Sequence, residues 1–109
     1  RKDQPTEAVC FHAQQCAEKY VKALLVFRST DFPKTHDLEK LTALLPVALR
    51  PRLTLEEQRR FIGYATAARY PGSGEVPLAE AKRAVALARR LRREIRRVLP
   101  REILRRKVR

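Results

Sequence analysis

The sequence predicts an all-α fold, and three observations support that prediction. Apolar residues recur every three or four positions in four separate segments, which is the spacing of one helix face. Leu, Ala, Arg and Glu, all good helix formers, dominate the composition. Alternation of β-branched residues, which would indicate strands, is almost absent. The length of 109 residues suits one domain with one modest core, and we assign residues 1–109 to it.

The first helix is expected to begin near Pro5 and Thr6, because proline suits the first turn of a helix. It should end by about Ser29, because the segment that follows, STDFPKTHD, is rich in turn-forming residues. Glu18 and Lys22 form a favourable pair one turn apart. Seven residues at helical spacing form the predicted core stripe: Val9, Ala13, Cys16, Ala17, Tyr20, Leu24 and Phe27.

The second and third helices carry recognisable start signals. The second is short, and either Thr35 or Asp37 can cap its amino end. The third opens with a capping box, in which Thr54 is the N-cap and Glu57 follows three residues later. It should stop before residues 69–77, RYPGSGEVP, because proline and glycine there interrupt a helix.

The fourth helix is strongly basic. It should start near Leu78, end or bend at Pro100, and form with the tail a basic segment at residues 78–109. The chain has a net charge of +13, and residues 80–109, with 13 bases and 3 acids, account for +10 of it. This asymmetry indicates a polyanion or an acidic protein as the partner. The predicted basic surface consists of Arg89, Arg92, Arg93, Arg96 and Arg97.

A stripe of mixed polar residues follows the first helix. His12, Gln15, Lys19 and Lys22 are spaced so that they share one face of the helix. Imidazole, amide and ammonium groups can bind bases and phosphates, so the stripe is a candidate binding site. A solvent-exposed helix face is the simpler interpretation, and by composition alone we favour it.

Residues for catalysis or metal binding are scarce. With only His12 and His36 available, a multi-histidine metal site is impossible, and we expect no metal and no cofactor. Cys10 and Cys16 lie six residues apart on one helix and face different directions, which predicts reduced thiols and a cytoplasmic protein. No apolar run is long enough for a membrane span or a signal peptide, so we expect no membrane partner.

Three segments together resemble the HEPN domain: CFHAQQCAEKYVKALL, then FPKTHDL, then ARYPG before a last Ala-rich helix. The resemblance covers roughly residues 8–98 and implies an up-and-down four-helix bundle with one short extra helix, usually a homodimer. Family members usually have a further helix before the FHAQQ segment, and residues 1–7 are too few to form it. Either that first family helix is missing from this chain, or a neighbouring subunit covers the apolar stripe that it would bury.

The resemblance also implies a set of functions. Many HEPN proteins are RNA-cleaving toxins or RNA processors, others bind nucleotides, and a minimal nucleotidyltransferase often serves as the antitoxin. The polar positions that match the family pattern are His12, Gln15, Lys19, Lys22, Lys34, His36, Asp37 and Arg69, which form a candidate nucleotide or RNA site or a dimer interface.

The ribonuclease members carry an Arg followed roughly four to six residues later by a His near the end of a late helix. This chain lacks that motif, since its last histidine, His36, precedes the third helix. Three interpretations therefore stay open. The chain is a non-catalytic module that binds nucleotide or RNA beside a nucleotidyltransferase, or a metal-independent ribonuclease that uses His36 and Arg69, or a structural dimer that docks an acidic protein.

Overall fold

The computed structural model describes residues 6–69 and 76–99, without the side chains of residues 62 and 64–69. The predicted all-α fold is confirmed, because every regular element within these ranges is helical. Three of the four α-helices are long, and the fourth has six residues. The elements are α1 (Thr6–Phe27), α2 (Leu38–Ala43), a 3-10 turn (Val47–Leu49), α3 (Leu55–Arg69) and α4 (Leu78–Val98).

The helix starts agree with the local sequence signals. Asp37 caps α2 by accepting a hydrogen bond from the backbone N–H of Lys40 at 3.3 Å. The capping box of α3 is present with both of its hydrogen bonds: the backbone N–H of Glu57 donates to Thr54 Oγ1, and that of Thr54 donates to Glu57 Oε1. The predicted bend at Pro100 and the basic tail lie outside the described residues.

Helix α1 ends in a left-handed turn at Ser29, whose φ is 55°. The backbone N–H of Ser29 donates to Val26 and that of Thr30 donates to Leu25, the pattern of a Schellman motif. The turn satisfies carbonyls that a helix end leaves unpaired. It also reverses the chain, so that residues 30–37 run back over the side of α1.

The three long helices pack in an up-and-down arrangement with α1 at the centre, in contact with each of the other three. The Thr6 hydroxyl donates to the carbonyl of Val76, so the amino ends of α1 and α4 lie side by side and these helices run parallel. Helix α3 runs the opposite way, because Glu57 near its start pairs with Arg90 at 2.8 Å while Arg60 reaches back to Glu80.

The core lies between α1, α2 and α4, and Phe61 fills it from α3 with none of its surface exposed. Part of the predicted core stripe of α1 is wrong. Phe27 is 44% exposed at the end of the helix and Cys16 is only half-buried, whereas Val9 and Tyr20 are half-buried and pack against the core. The fully buried side of α1 is therefore rotated away from the predicted one, and it consists of Cys10, Ala13, Gln14, Ala17, Glu18, Val21, Leu24 and Leu25.

Candidate functional site

A buried carboxylate, that of Glu18, lies at the centre of the polar side chains of α1. Its side chain is 5% exposed. It accepts hydrogen bonds from Gln14 Nε2 at 2.7 Å and from Lys22 Nζ at 2.6 Å. His36 Nδ1 lies 3.0 and 3.2 Å from the two carboxylate oxygens. Gln15 extends this Glu18 network by donating to Gln14 Oε1 at 3.0 Å.

Two separate sequence segments form this network. Gln14, Glu18 and Lys22 follow each other at intervals of four, so they stack along one side of α1. His36 comes from the loop before α2, eighteen residues from Glu18. The same loop is shaped locally, because Thr35 Oγ1 accepts the backbone N–H of Asp37 at 3.0 Å. The FHAQQ and KTHDL segments therefore meet in space.

The charge on Glu18 is stabilised despite its burial. Burial by itself raises the pKa of this carboxyl group. The hydrogen bonds from Lys22, His36 and Gln14, together with the positive charge of Lys22, outweigh burial and hold the pKa of Glu18 below its ordinary value of 4.5. Lys22 also lies 5.8 Å from the centre of the Phe32 ring, a cation–π contact that further ties the loop to α1.

The network orients the imidazole of His36. The Glu18 carboxylate can only accept hydrogen bonds, so it favours a proton on His36 Nδ1. The side chain of His36 is 50% exposed, and its Nε2 has no hydrogen-bond partner among the described residues. A carboxylate that fixes one imidazole nitrogen and leaves the other open is the arrangement used for general acid–base chemistry.

The structure divides the predicted site residues into separate groups. Gln15, Lys22 and His36 belong to the Glu18 network, and Asp37 caps the adjoining helix. The other predicted residues do not join them. His12 and Lys19 are exposed and line a different cleft with Gln15, Cys16 and Tyr20. Lys34 is exposed and has no side-chain partner among the described residues. The side chain of Arg69 lies outside the described residues.

Sequence reasoning missed two residues of the network, Gln14 and Glu18, as site residues. Both are buried and polar, at 1% and 4% exposure. Their spacing with Lys22 forms an i, i+4 ladder, and the sequence predicts the pairing of Glu18 with Lys22 but not the burial of Glu18. The distant histidine that makes the carboxylate central is not visible in the local pattern of α1.

A second polar region lies on α4, where four arginines line one open cleft of about 250 Å³. We call it the arginine cleft, and it consists of Arg89, Arg92, Arg93 and Arg96. Arg92, Arg93 and Arg96 follow Arg89 by three, four and seven residues, so the four side chains project from the same side of the helix. Arg97, the fifth predicted basic residue, is exposed but does not line the cleft.

No acidic side chain in the described ranges pairs with the arginine cleft. The nearby glutamates are engaged elsewhere. Glu57 pairs with Arg90, and Glu80 pairs with Arg83 at 2.9 Å. Glu94, on α4 itself, accepts the backbone N–H of Arg52 at 2.7 Å. The four guanidinium groups therefore offer their donors to an outside anion.

Other kinds of site find little support in the described part of the chain. It contains no cluster of three or more His, Cys, Asp or Glu side chains that could hold a metal ion. None of its helices combines the length and apolar character needed to cross a bilayer. Cys10 and Cys16 are both free thiols, the first buried and the second half-buried.

Comparison with known protein families identifies the family of this chain. The family model of the HEPN domain matches residues 1–98. No curated protein and no solved structure matches the chain.

Proposed function

Because the chain belongs to the HEPN domain family, we propose that it is a non-catalytic module that binds the phosphates of RNA or of a nucleotide. The single observation that carries this proposal is the arginine cleft, whose four guanidinium groups have no acidic partner among the described residues. Arginine presents its donors in a planar fork that fits two phosphate oxygens at once. A phosphate would therefore gain charge-assisted hydrogen bonds without first breaking an ion pair.

The proposal extends to partners. The family resemblance supports a homodimer in the cytoplasm that works with a minimal nucleotidyltransferase as a toxin–antitoxin pair. The composition supports contact with RNA through phosphates more than through bases, because aromatic residues make up only 6% of the chain. Base stacking would therefore contribute little to affinity.

Reversing two charges of the arginine cleft tests the proposal. The variant R93E/R96E should bind a single-stranded RNA oligonucleotide at least about tenfold more weakly, because two phosphate contacts become repulsive. The slope of log K against log salt should become shallower by about 1.4, which is two contacts at about 0.7 each. Fluorescence anisotropy over a salt series measures both the affinity and the slope. Competition by a nucleoside triphosphate shows whether the same site binds a free nucleotide as well as RNA.

The matched control is K40E/R59E, which changes the net charge equally but lies on α2 and α3. Its ion pair from Arg59 to Glu39 is exposed, so its loss costs little stability. If K40E/R59E weakens RNA binding as much as R93E/R96E does, the attraction depends on net charge alone, and the arginine cleft is not a site.

A second candidate function rests on the geometry of His36. Its Nδ1 is held by Glu18 while its Nε2 has no partner among the described residues, so it could act as the acid or base in metal-independent RNA cleavage. This is the ribonuclease interpretation, with Glu18 orienting His36. The second residue expected for it, Arg69, has its side chain outside the described residues.

End-labelled RNA incubated with the protein in EDTA separates the two candidates. We expect the RNA to stay intact with the wild type, because the proposed module binds without cleaving. Cleavage that H36A loses and H12A retains would establish the second candidate, since His12 is the only other histidine and is exposed. Cleavage that persists in H36A would exclude His36 as its source.

A further inference from the structure

Helices α1 and α4 leave an open groove along the line where they meet. Two adjoining clefts form it between the helices, and a third cleft continues it along α1 alone. The cleft at the amino ends of the two helices shares Val9, Val85 and Arg89 with the central cleft. The central cleft in turn shares His12 and Cys16 with the third cleft, which lies along α1. From Thr6 to Tyr20 the groove is about 20 Å long, at a rise of about 1.5 Å per residue. We call this continuous surface the α1–α4 groove.

The floor of the groove is apolar and made of small side chains. Val9, Ala13, Cys16, Val85 and Ala88 line its central part, whose volume is about 360 Å³. Val9, Cys16 and Val85 are only half-buried, so part of this apolar floor meets solvent. Small residues let another backbone approach closely, and the ridge of a third helix fits the groove between two helices.

The edges of the groove are basic. Lys82, Arg89 and Arg92 lie on the α4 side, and His12 and Lys19 lie on the α1 side. All five side chains are exposed, and none pairs with an acidic group among the described residues. An occupant with an apolar face between two acidic edges would complement both the floor and the rim.

From this geometry we infer that the α1–α4 groove is the docking site for an acidic amphipathic helix of a partner protein. A second copy of this chain fits less well, because a two-fold interface would place the basic edges of both copies against each other. RNA also fits less well, because Tyr20 is the only Phe, Tyr or Trp residue among those lining the clefts. The partner helix is thus defined by small apolar residues on one face and Asp or Glu on both flanks.

The thiol of Cys16 is a natural probe of whether the groove is occupied, so no label has to be introduced. It is half-buried and lines the floor, whereas Cys10 is fully buried. Burial raises the pKa of the Cys10 thiol to about 11, with smaller contributions from Glu80 and Glu7, so this thiol reacts slowly at neutral pH. The alkylation measured on the native protein is therefore that of Cys16. The variant C16A confirms this assignment if its alkylation is lost.

The probe is a synthetic helical peptide of about five turns, with Leu and Ala on one face and Glu on both flanks. Its two controls are the same peptide with every Glu replaced by Lys and a scrambled peptide of the same composition. We expect the acidic amphipathic peptide to slow alkylation of Cys16 about tenfold once its concentration exceeds Kd about tenfold. The Lys peptide and the scrambled peptide should leave the rate unchanged.

Variants separate this inference from phosphate binding. K19E/K82E reverses one charge on each edge of the groove, at positions outside the arginine cleft. It should weaken binding of the acidic peptide at least about tenfold. R93E/R96E should weaken RNA binding and leave the peptide affinity within about twofold. The inference fails if the scrambled peptide protects equally, if K19E/K82E binds the acidic peptide as tightly as the wild type does, or if protection rises with protein concentration alone.

Discussion

Replacing Glu18 by alanine is expected to lower the free energy of unfolding by about 2–4 kcal/mol, because its carboxylate is the common acceptor for Gln14, Lys22 and His36. Loss of the carboxylate leaves the buried Nε2 of Gln14 without its acceptor and removes the hydrogen bond between His36 and α1. Urea unfolding followed by circular dichroism measures the change. Glu56, which is 80% exposed, gives the control E56A, expected to cost no more than about 0.5 kcal/mol.

The contribution of Glu18 should also depend on pH. The pKa of Glu18 is lower in the folded state than the ordinary 4.5, so its charge stabilises the fold fully above about pH 4.5. That stabilisation is lost as the pH falls through the lower, folded-state pKa. The difference in unfolding free energy between wild type and E18Q should therefore shrink below pH 4.5. A difference that stays constant down to acid pH would contradict the proposed network.

Replacing Phe61 by alanine is expected to cost about 3–5 kcal/mol, through lost burial and the cavity left behind. Phe61 is fully buried and is the largest such side chain in the described part of the chain. Among the described side chains of α3, Phe61 is the buried apolar one, so the variant should weaken the packing of α3 against the core. The control is L55A on the same helix, where the leucine is 53% exposed and should cost less than about 1 kcal/mol.

Urea unfolding again provides the measurement, and F61L provides the intermediate case. Leucine keeps most of the buried volume, so F61L should lie between wild type and F61A. Equal effects of F61A and L55A would show that Phe61 does not anchor α3. In that event the arrangement of α3 against α1 would need another explanation.

The helix boundaries were predictable because their signals are local. Asp37 and the Thr54–Glu57 capping box act within three residues of the helix start. The buried side of α1 was less predictable. Phe27 is apolar and exposed, while Glu18 is charged and buried. His36 joins Glu18 only after the chain has turned at Ser29, so no helical pattern could reveal the network around Glu18.

The arginine cleft shows the same limit on prediction. The sequence located the positive charge on α4 correctly, but it could not tell paired arginines from unpaired ones. Arg90 and Arg83 are neutralised by Glu57 and Glu80, and one of these partners lies on another helix. Which guanidinium groups are left to face an anion depends on how α3 packs, which is a property of the fold.

The parallel packing of α1 and α4 has an electrostatic consequence. Peptide dipoles align along each helix and leave a partial negative charge at its carboxyl end. The last turn of α4 contains Arg96 and Arg97, so the dipole of that helix stabilises both by about 0.3–1 kcal/mol each. Because α1 runs in the same direction beside it, its carboxyl end adds a second partial negative charge at the same end of the bundle. The backbone thus offsets part of the repulsion between Arg96 and Arg97 without using the hydrogen-bond donors of their side chains.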